Sequence, residues 1–198
     1  MPLSALSGAQ IGRRPVRSAS KPGSPAAAPG VQLAYDCRMA FSTTSLMTDM
    51  YELTMVDAAI ASGTAERKCV FEAFGRRLPG ERRYGVVCGT GRVLEAIRDF
   101  RFNPEEIEYL ASRAIVSDRT AEYLADYRFT GDVYGYAEGE CYFPHSPVLT
   151  VTGSFAECVV LETVILSILN HDSAVATAAS RMTAAAHGRP CLEFGARR

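Results

Sequence analysis

The chain has 198 residues, 47% of them hydrophobic, and a formal net charge of −1. That supplies one core, or one and part of a second. Residues 1–35 carry four basic residues (Arg13, Arg14, Arg17, Lys21) and no acid, which leaves 17 basic residues against 22 acids in the remainder. A mildly acidic body without aromatic-basic stacking motifs argues against a nucleic-acid surface.

Ala, Ser, Gly and Pro make up 21 of the first 35 residues. Such a segment cannot bury enough surface to offset its ordering entropy. Three origins fit it: a disordered leader, an organelle transit peptide, or upstream translation from a misassigned start, with Met39 as the favoured true start. No apolar core of a secretory signal follows the arginines.

From Ser45 the pattern is helical. Leu46, Met50, Leu53 and Ile60 share one face, Thr48 or Asp49 is placed to cap, with Glu52 three residues beyond Asp49, and Gly63 ends the helix. Val70–Phe74 and Tyr84–Cys88 read as two strands around a polar turn, Arg76–Arg83. Gly89-Thr-Gly91 turns into a helix through Phe100. Asn103-Pro104-Glu105-Glu106 opens another, with acids at its positive end. A further helix is expected over about Asp118–Tyr127, and residues 128–153 are β-rich. Ser154 caps a long helix through Leu169; Asp172 or Ser173 caps the next, ending near His187-Gly188. Pro190–Gly195 reads as a final buried strand.

The six cysteines are dispersed and lack a C-x-x-C pair, which suits reduced, mostly buried thiols rather than disulfides or zinc. The longest apolar stretch, Cys158–Leu169, is interrupted by Glu162 and is too short for a membrane span of ~20 residues.

Few residues stand out chemically. Tyr51, one turn into the first helix, reads by itself as a core or interface aromatic. Arg197 and Arg198 end the chain after an apolar run, where guanidinium groups suit a carboxylate or phosphate; a solvated basic end is the alternative. Arg76, Arg77, Arg82 and Arg83 either steer a charged substrate or form a solvated loop. Glu72 is a buried carboxylate or an outward strand residue. His145, His171 and His187 match no ligand spacing, and His171 reads as structural. Gly89-Thr-Gly91 lacks a third glycine, and no Walker loop occurs.

Six segments carry a resemblance. They are Leu46-Met-Thr-Asp-Met-Tyr-Glu-Leu-Thr-Met55, Phe71-Glu-Ala-Phe-Gly-Arg-Arg-Leu-Pro79, Tyr84-Gly-Val-Val87, Gly139-Glu-Cys-Tyr-Phe-Pro144, Glu157–Ser173 and Glu193-Phe-Gly-Ala-Arg-Arg198. Over about residues 42–198 the chain resembles the nicotinate phosphoribosyltransferases, in their bacterial branch. The resemblance implies an α/β fold: a leader over 1–41, an N-terminal α/β domain over 42–153, and two helices with the first strand of an incomplete α/β barrel of the type II phosphoribosyltransferase kind over 154–198. It implies transfer of phosphoribose from phosphoribosyl pyrophosphate to nicotinate, with ATP hydrolysis and Mg²⁺, in cytoplasmic NAD salvage. Tyr51 is then the residue that stacks on nicotinate across a homodimer interface. Arg197 binds substrate near the carboxylate, and Arg198 faces phosphate or an acidic partner. The phosphohistidine is expected downstream of Arg198, so no catalytic residue is assigned and the chain is expected to be inactive alone. The alternatives are a quinolinate or nicotinamide phosphoribosyltransferase, or an inactive truncated dimerisation module.

Overall fold

A computed structural model describes residues 44–195, which fall in one compact unit. A 3₁₀ turn over Ser45–Met47 leads into α1 (Met50–Ser62). Its buried face is Glu52, Leu53, Val56, Ala59 and Ile60; Leu46 and Met50, expected on that face, are exposed. Gly63 closes α1 in the left-handed region at φ 72°, where a side chain would be strained.

β1 (Lys68–Phe74) and β2 (Gly85–Val86) follow, but they are not a hairpin. β1 pairs antiparallel with β5 (Pro147–Ser154), which also pairs with β3 (Asp132–Gly135), giving the sheet order β1-β5-β3. β2 pairs with β4 (Cys141–Tyr142) in a separate two-stranded sheet. The local turn loses to the long-range partner because β5 offers β1 a ladder along its whole length and buries Val148, Leu149 and Val151 beneath it. Cys69, Phe71 and Ala73 point inward from β1; Glu72 points outward and is exposed, as an ordinary strand acid.

Three helices lie between the strands: α2 (Thr90–Asp99), α3 (Pro104–Ser112) and α4 (Asp118–Ala125). Asn103 and Glu106 form the reciprocal capping box expected of their spacing, with Pro104 in the first turn. Phe100, Phe102 and Tyr127 meet edge-on, with ring centroids 5.5–6.1 Å apart, and close the core between α2 and α4.

After β5, Ser154 and Glu157 form a second capping box and start α5 (Phe155–Val159). The long helix expected from Ser154 breaks at Val160–Leu161, where the Thr48 hydroxyl donates to the Val160 carbonyl at 2.6 Å. α6 then runs unbroken from Glu162 to Ala186, through the expected boundary at 170–173. The would-be capping side chains there are engaged elsewhere. Asp172 accepts from Arg92, and Ser173 Oγ accepts from the Cys88 amide and contacts its carbonyl, so neither competes for the local backbone. Joined to α5, this region is long and apolar enough by length and composition to cross a membrane, with mean hydropathy 1.4 over its 18-residue window. The expectation from shorter helices is corrected on that point. α6 nonetheless packs on α2 and β2 and buries Val164, Ile165 and Leu169 against the core.

Pro190–Gly195 is not a strand. No ladder partner lies beside it among the described residues, and Leu192 and Phe194 are 87% and 92% exposed. An apolar alternation without a partner strand satisfies neither backbone groups nor side chains. The described cysteines are all free; Cys158 is buried, Cys69 and Cys88 half-buried, but Cys141 and Cys191 exposed, so burial is less general than expected.

Candidate functional site

The N-terminal ends of α1 and α6 meet side by side and form one wall of a cleft of about 570 Å³. Polar side chains bind the two ends together. Thr163 Oγ1 lies 2.6 Å from Glu52 Oε1 and 3.3 Å from Asp49 Oδ2, and the Tyr51 hydroxyl donates to Glu162 Oε1 at 3.3 Å. Asp49 takes the N-cap backbone position of α1, yet its carboxylate turns to Thr163 instead of capping its own helix.

Glu52 lies beneath this wall and is fully buried, with Oε2 lacking a hydrogen-bond partner. Burial pushes its carboxyl above the ordinary glutamate range; the Thr163 and Thr48 hydroxyls pull the other way, and the charges of Glu162 and Asp49 add to the rise. Tyr51 stands at the mouth, 48% exposed. Its phenol is pushed up to about 12, first by lost hydration and then by Glu162 and Glu52. It therefore remains a neutral hydrogen-bond donor at neutral pH.

The opposite wall comes from the end of β1 and from β4. Phe74, Gly75, Arg76 and Tyr142 line it. Tyr142 reaches this position because its ring lies on Gly85, where a Cβ would fall 2.2 Å from Cζ. The His145 amide bonds to the Gly75 carbonyl at 2.8 Å, and its ring tilts on Phe74 at 5.8 Å, which fixes the turn behind the cleft. Asn170 and Ser167 supply neutral polar groups from α6. The cleft thus offers aromatic faces, one guanidinium and two accessible carboxylates. The aromatic faces suit a flat heteroaromatic ring, and Arg76 is the cationic side chain in the lining.

Of the residues singled out in the sequence, Tyr51 and Arg76 come together here. Arg77, Arg82 and Arg83 do not line this cleft. Arg197 and Arg198 lie outside the described residues. Sequence reasoning missed Tyr142, Glu162 and Thr163. The acid interrupting Cys158–Leu169 was the one available signal, since a charge at the start of an apolar helix needs a wet surface or a partner. His171 is engaged with Asp172 at 2.9 Å, and Arg92 holds the same carboxylate at 2.7 Å, so the three side chains form one exposed charged contact between α2 and α6. Among the described residues no group of three or more His, Cys, Asp or Glu is arranged to hold a metal ion.

Over 153 residues the chain is 60% identical to a nicotinate phosphoribosyltransferase of Mycobacterium tuberculosis, covering 77% of this chain and 34% of that one. It is 35% identical over 154 residues to the nicotinate phosphoribosyltransferase of Bacillus subtilis, covering 78% of this chain and 31% of that protein. The chain spans about a third of the length of the curated relatives it matches. The crystal structure of human nicotinic acid phosphoribosyltransferase superposes with a TM-score of 0.69 at 30% identity, covering 76% of this chain and 31% of that one. A crystal structure of nicotinate-nucleotide pyrophosphorylase from Pyrococcus furiosus gives 0.56 at 25%, covering 78% and 32%. Residues 46–170 match the family model of the nicotinate phosphoribosyltransferase (NAPRTase) N-terminal domain, and the chain belongs to that family.

Proposed function

We propose that this chain supplies the acceptor-binding wall of a nicotinate phosphoribosyltransferase acting in NAD salvage. The observation that carries the reading is the juxtaposition of Tyr51 with Arg76 across one aromatic-lined cleft. A pyridine carboxylate is flat and singly charged, and this wall offers an aromatic face and a cation. Tyr51 stacks on the ring, and its hydrogen bond to Glu162 holds the phenol in place. Positioning is the contribution expected of such a wall: it sets the ring nitrogen in line with the ribose carbon of phosphoribosyl pyrophosphate. Arg197 and Arg198 belong to the same proposal, as the contacts to the nicotinate carboxylate and to phosphate. The exposed Met47, Met50 and Tyr51 around the start of α1 support a homodimer interface beside this cleft.

ATP and Mg²⁺ belong to the proposal for the whole enzyme. The described residues provide no fitting cage for the ion: Glu52 is buried, and Asp49 and Glu162 already accept hydrogen bonds. We place the enzyme in the cytoplasm and read α6 as a core helix, since Glu162, Asn170, Asp172 and Arg181 interrupt it.

The test uses this chain extended over the full length of its relatives, assayed for nicotinate mononucleotide with nicotinate, quinolinate and nicotinamide in competition. Tyr51→Ala should raise the nicotinate KM about fivefold, and Tyr51→Phe should leave it near wild type, because stacking needs the ring. Arg197→Lys should impair binding, since an ammonium lacks the planar fork. Unchanged kinetics in both Tyr51→Ala and Arg197→Lys would sink the site assignment. Preference for quinolinate or nicotinamide would overturn the substrate.

A further inference from the structure

A second cleft, of about 460 Å³, shares no residue with the first. Its walls are the C-terminal part of α2 and the segment entering β3. Three arginines line it: Arg98, Arg101 and Arg128. We propose that it is a binding site for a phosphoryl dianion carried by a small molecule with an apolar or aromatic body.

The core brings the arginines together. Phe100 and Tyr127 are buried and meet edge-on at 5.5 Å, and each is followed directly by an arginine. Arg101 Nη1 donates to the Phe100 carbonyl and Arg128 Nη1 to the Tyr127 carbonyl, both at 2.5 Å. The contact between two aromatic rings therefore brings two guanidinium groups into the lining of one cleft, each pinned at one nitrogen. A guanidinium has five N–H groups, so several remain on each for a ligand. Neither forms an ion pair with a carboxylate among the described residues, whereas Arg92 and Arg98 do. Two like charges lining one cleft, neither of them ion-paired among the described residues, favour an oxyanion that bridges them.

The remaining lining defines the ligand further. Arg98 is shared with Asp99 at 3.2 Å and is 70% exposed, so it contributes less. Asp132 is the carboxylate in the lining and Asp99 engages Arg98, which leaves a local excess of one positive charge in a body that is otherwise acidic. Leu94, Ile97 and Phe129 provide the apolar floor. Phe129 is seated on Gly131, where a Cβ would meet its Cζ at 2.8 Å and the Thr152 carbonyl at 2.0 Å, so the loop has little freedom to collapse into the cleft. A free phosphate would use only the arginines; a nucleotide or sugar phosphate would also use that floor.

Isothermal titration of the 198-residue chain with inorganic phosphate, inorganic pyrophosphate and AMP tests the proposal. Binding of at least one phosphoryl ligand is expected, weakening with salt. Arg101→Gln and Arg128→Gln should each weaken it about tenfold, and the double substitution should abolish it. Arg98→Gln should cost no more than about threefold. Tighter binding of AMP than of pyrophosphate would assign the body of the ligand to the apolar floor; the reverse order would overturn the apolar or aromatic body. Arg76→Gln and Tyr51→Ala, in the other cleft, should leave this binding unchanged, so failure here is distinct from failure of the nicotinate reading. If the arginine variants unfold, wild-type protein serves: pyrophosphate should slow modification of Arg101 and Arg128 by phenylglyoxal, read by peptide mass mapping. No heat at millimolar ligand, equal weakening by Arg76→Gln, or no protection of the two arginines would overturn the proposal.

Discussion

The two clefts of this molecule treat charge in opposite ways. In the Tyr51 cleft the carboxylates are engaged: Asp49, Glu52 and Glu162 all accept hydrogen bonds from Tyr51 or Thr163, and the acids hold the ends of two helices together. In the second cleft the guanidinium groups of Arg101 and Arg128 are pinned only to backbone carbonyls and form no ion pair among the described residues. Charge that is used to hold a fold finds its partner inside the chain. Charge left without one is available to a ligand, and the same residue types serve both ends according to what the fold places beside them.

The largest effect should come from unpartnering Glu52. Thr163→Val removes the donor to a carboxyl whose other oxygen already lacks one. The variant should lose about 2 kcal/mol of unfolding free energy in urea. A loss below experimental error would mean that Glu52 reaches water and is not part of a dry wall.

Asp57 on the same helix gives a contrast. It accepts from the Ser117 amide at 2.9 Å and from the Ser117 and Thr120 hydroxyls at 2.6 Å, which hold its carboxyl below the usual range. A depressed carboxyl contributes stability that is present above the unfolded-state value and lost as pH falls through the folded one. Asp57→Asn should cost about 1.5 kcal/mol near neutral pH, with the cost shrinking in acid. A cost independent of pH would show that the hydroxyls do not favour the ionised form.

Glu52 should behave with the opposite sign. Its raised carboxyl contributes stability below the unfolded-state value, and that contribution is lost as pH rises through the folded value. Glu52→Gln does not titrate, so stability relative to wild type should move in the variant's favour as pH rises above the ordinary glutamate range. Parallel stability curves for the two proteins would contradict the burial argument. The smallest effect belongs to Arg98→Ala, whose exposed pair with Asp99 should change unfolding free energy by no more than about 0.5 kcal/mol. A larger loss would place Arg98 with the structural charges instead of beside the open cleft.

Local chemistry made much of the fold readable. Asn103 and Glu106, and Ser154 with Glu157, are capping boxes whose partners lie within four residues, so spacing alone identifies them. Gly63 was legible for the same reason. The site was only partly legible: Tyr51 came from its motif, but nothing near Glu162 or Thr163 in sequence indicates that residues 111 positions away await them. Arg76 looked no different from Arg77, Arg82 and Arg83 until the end of β1 turned it toward the cleft.

What the sequence determined by itself was where most of the helices lie, the capping boxes at Asn103 and Ser154, the stop at Gly63 and the family to which residues 46–170 belong. Tertiary structure decided which apolar segments became strands and how the helices divided. Lys68–Phe74 and Pro190–Gly195 both mix apolar residues with one acid, yet β5 pairs with the first and no strand pairs with the second among the described residues. The α5–α6 break was decided by Thr48, and the continuity of α6 by the engagement of Asp172 and Ser173 with Arg92 and Cys88. A helix can satisfy its backbone from within a few residues, whereas a strand, a helix junction and a charged cleft depend on groups that only the folded chain brings near.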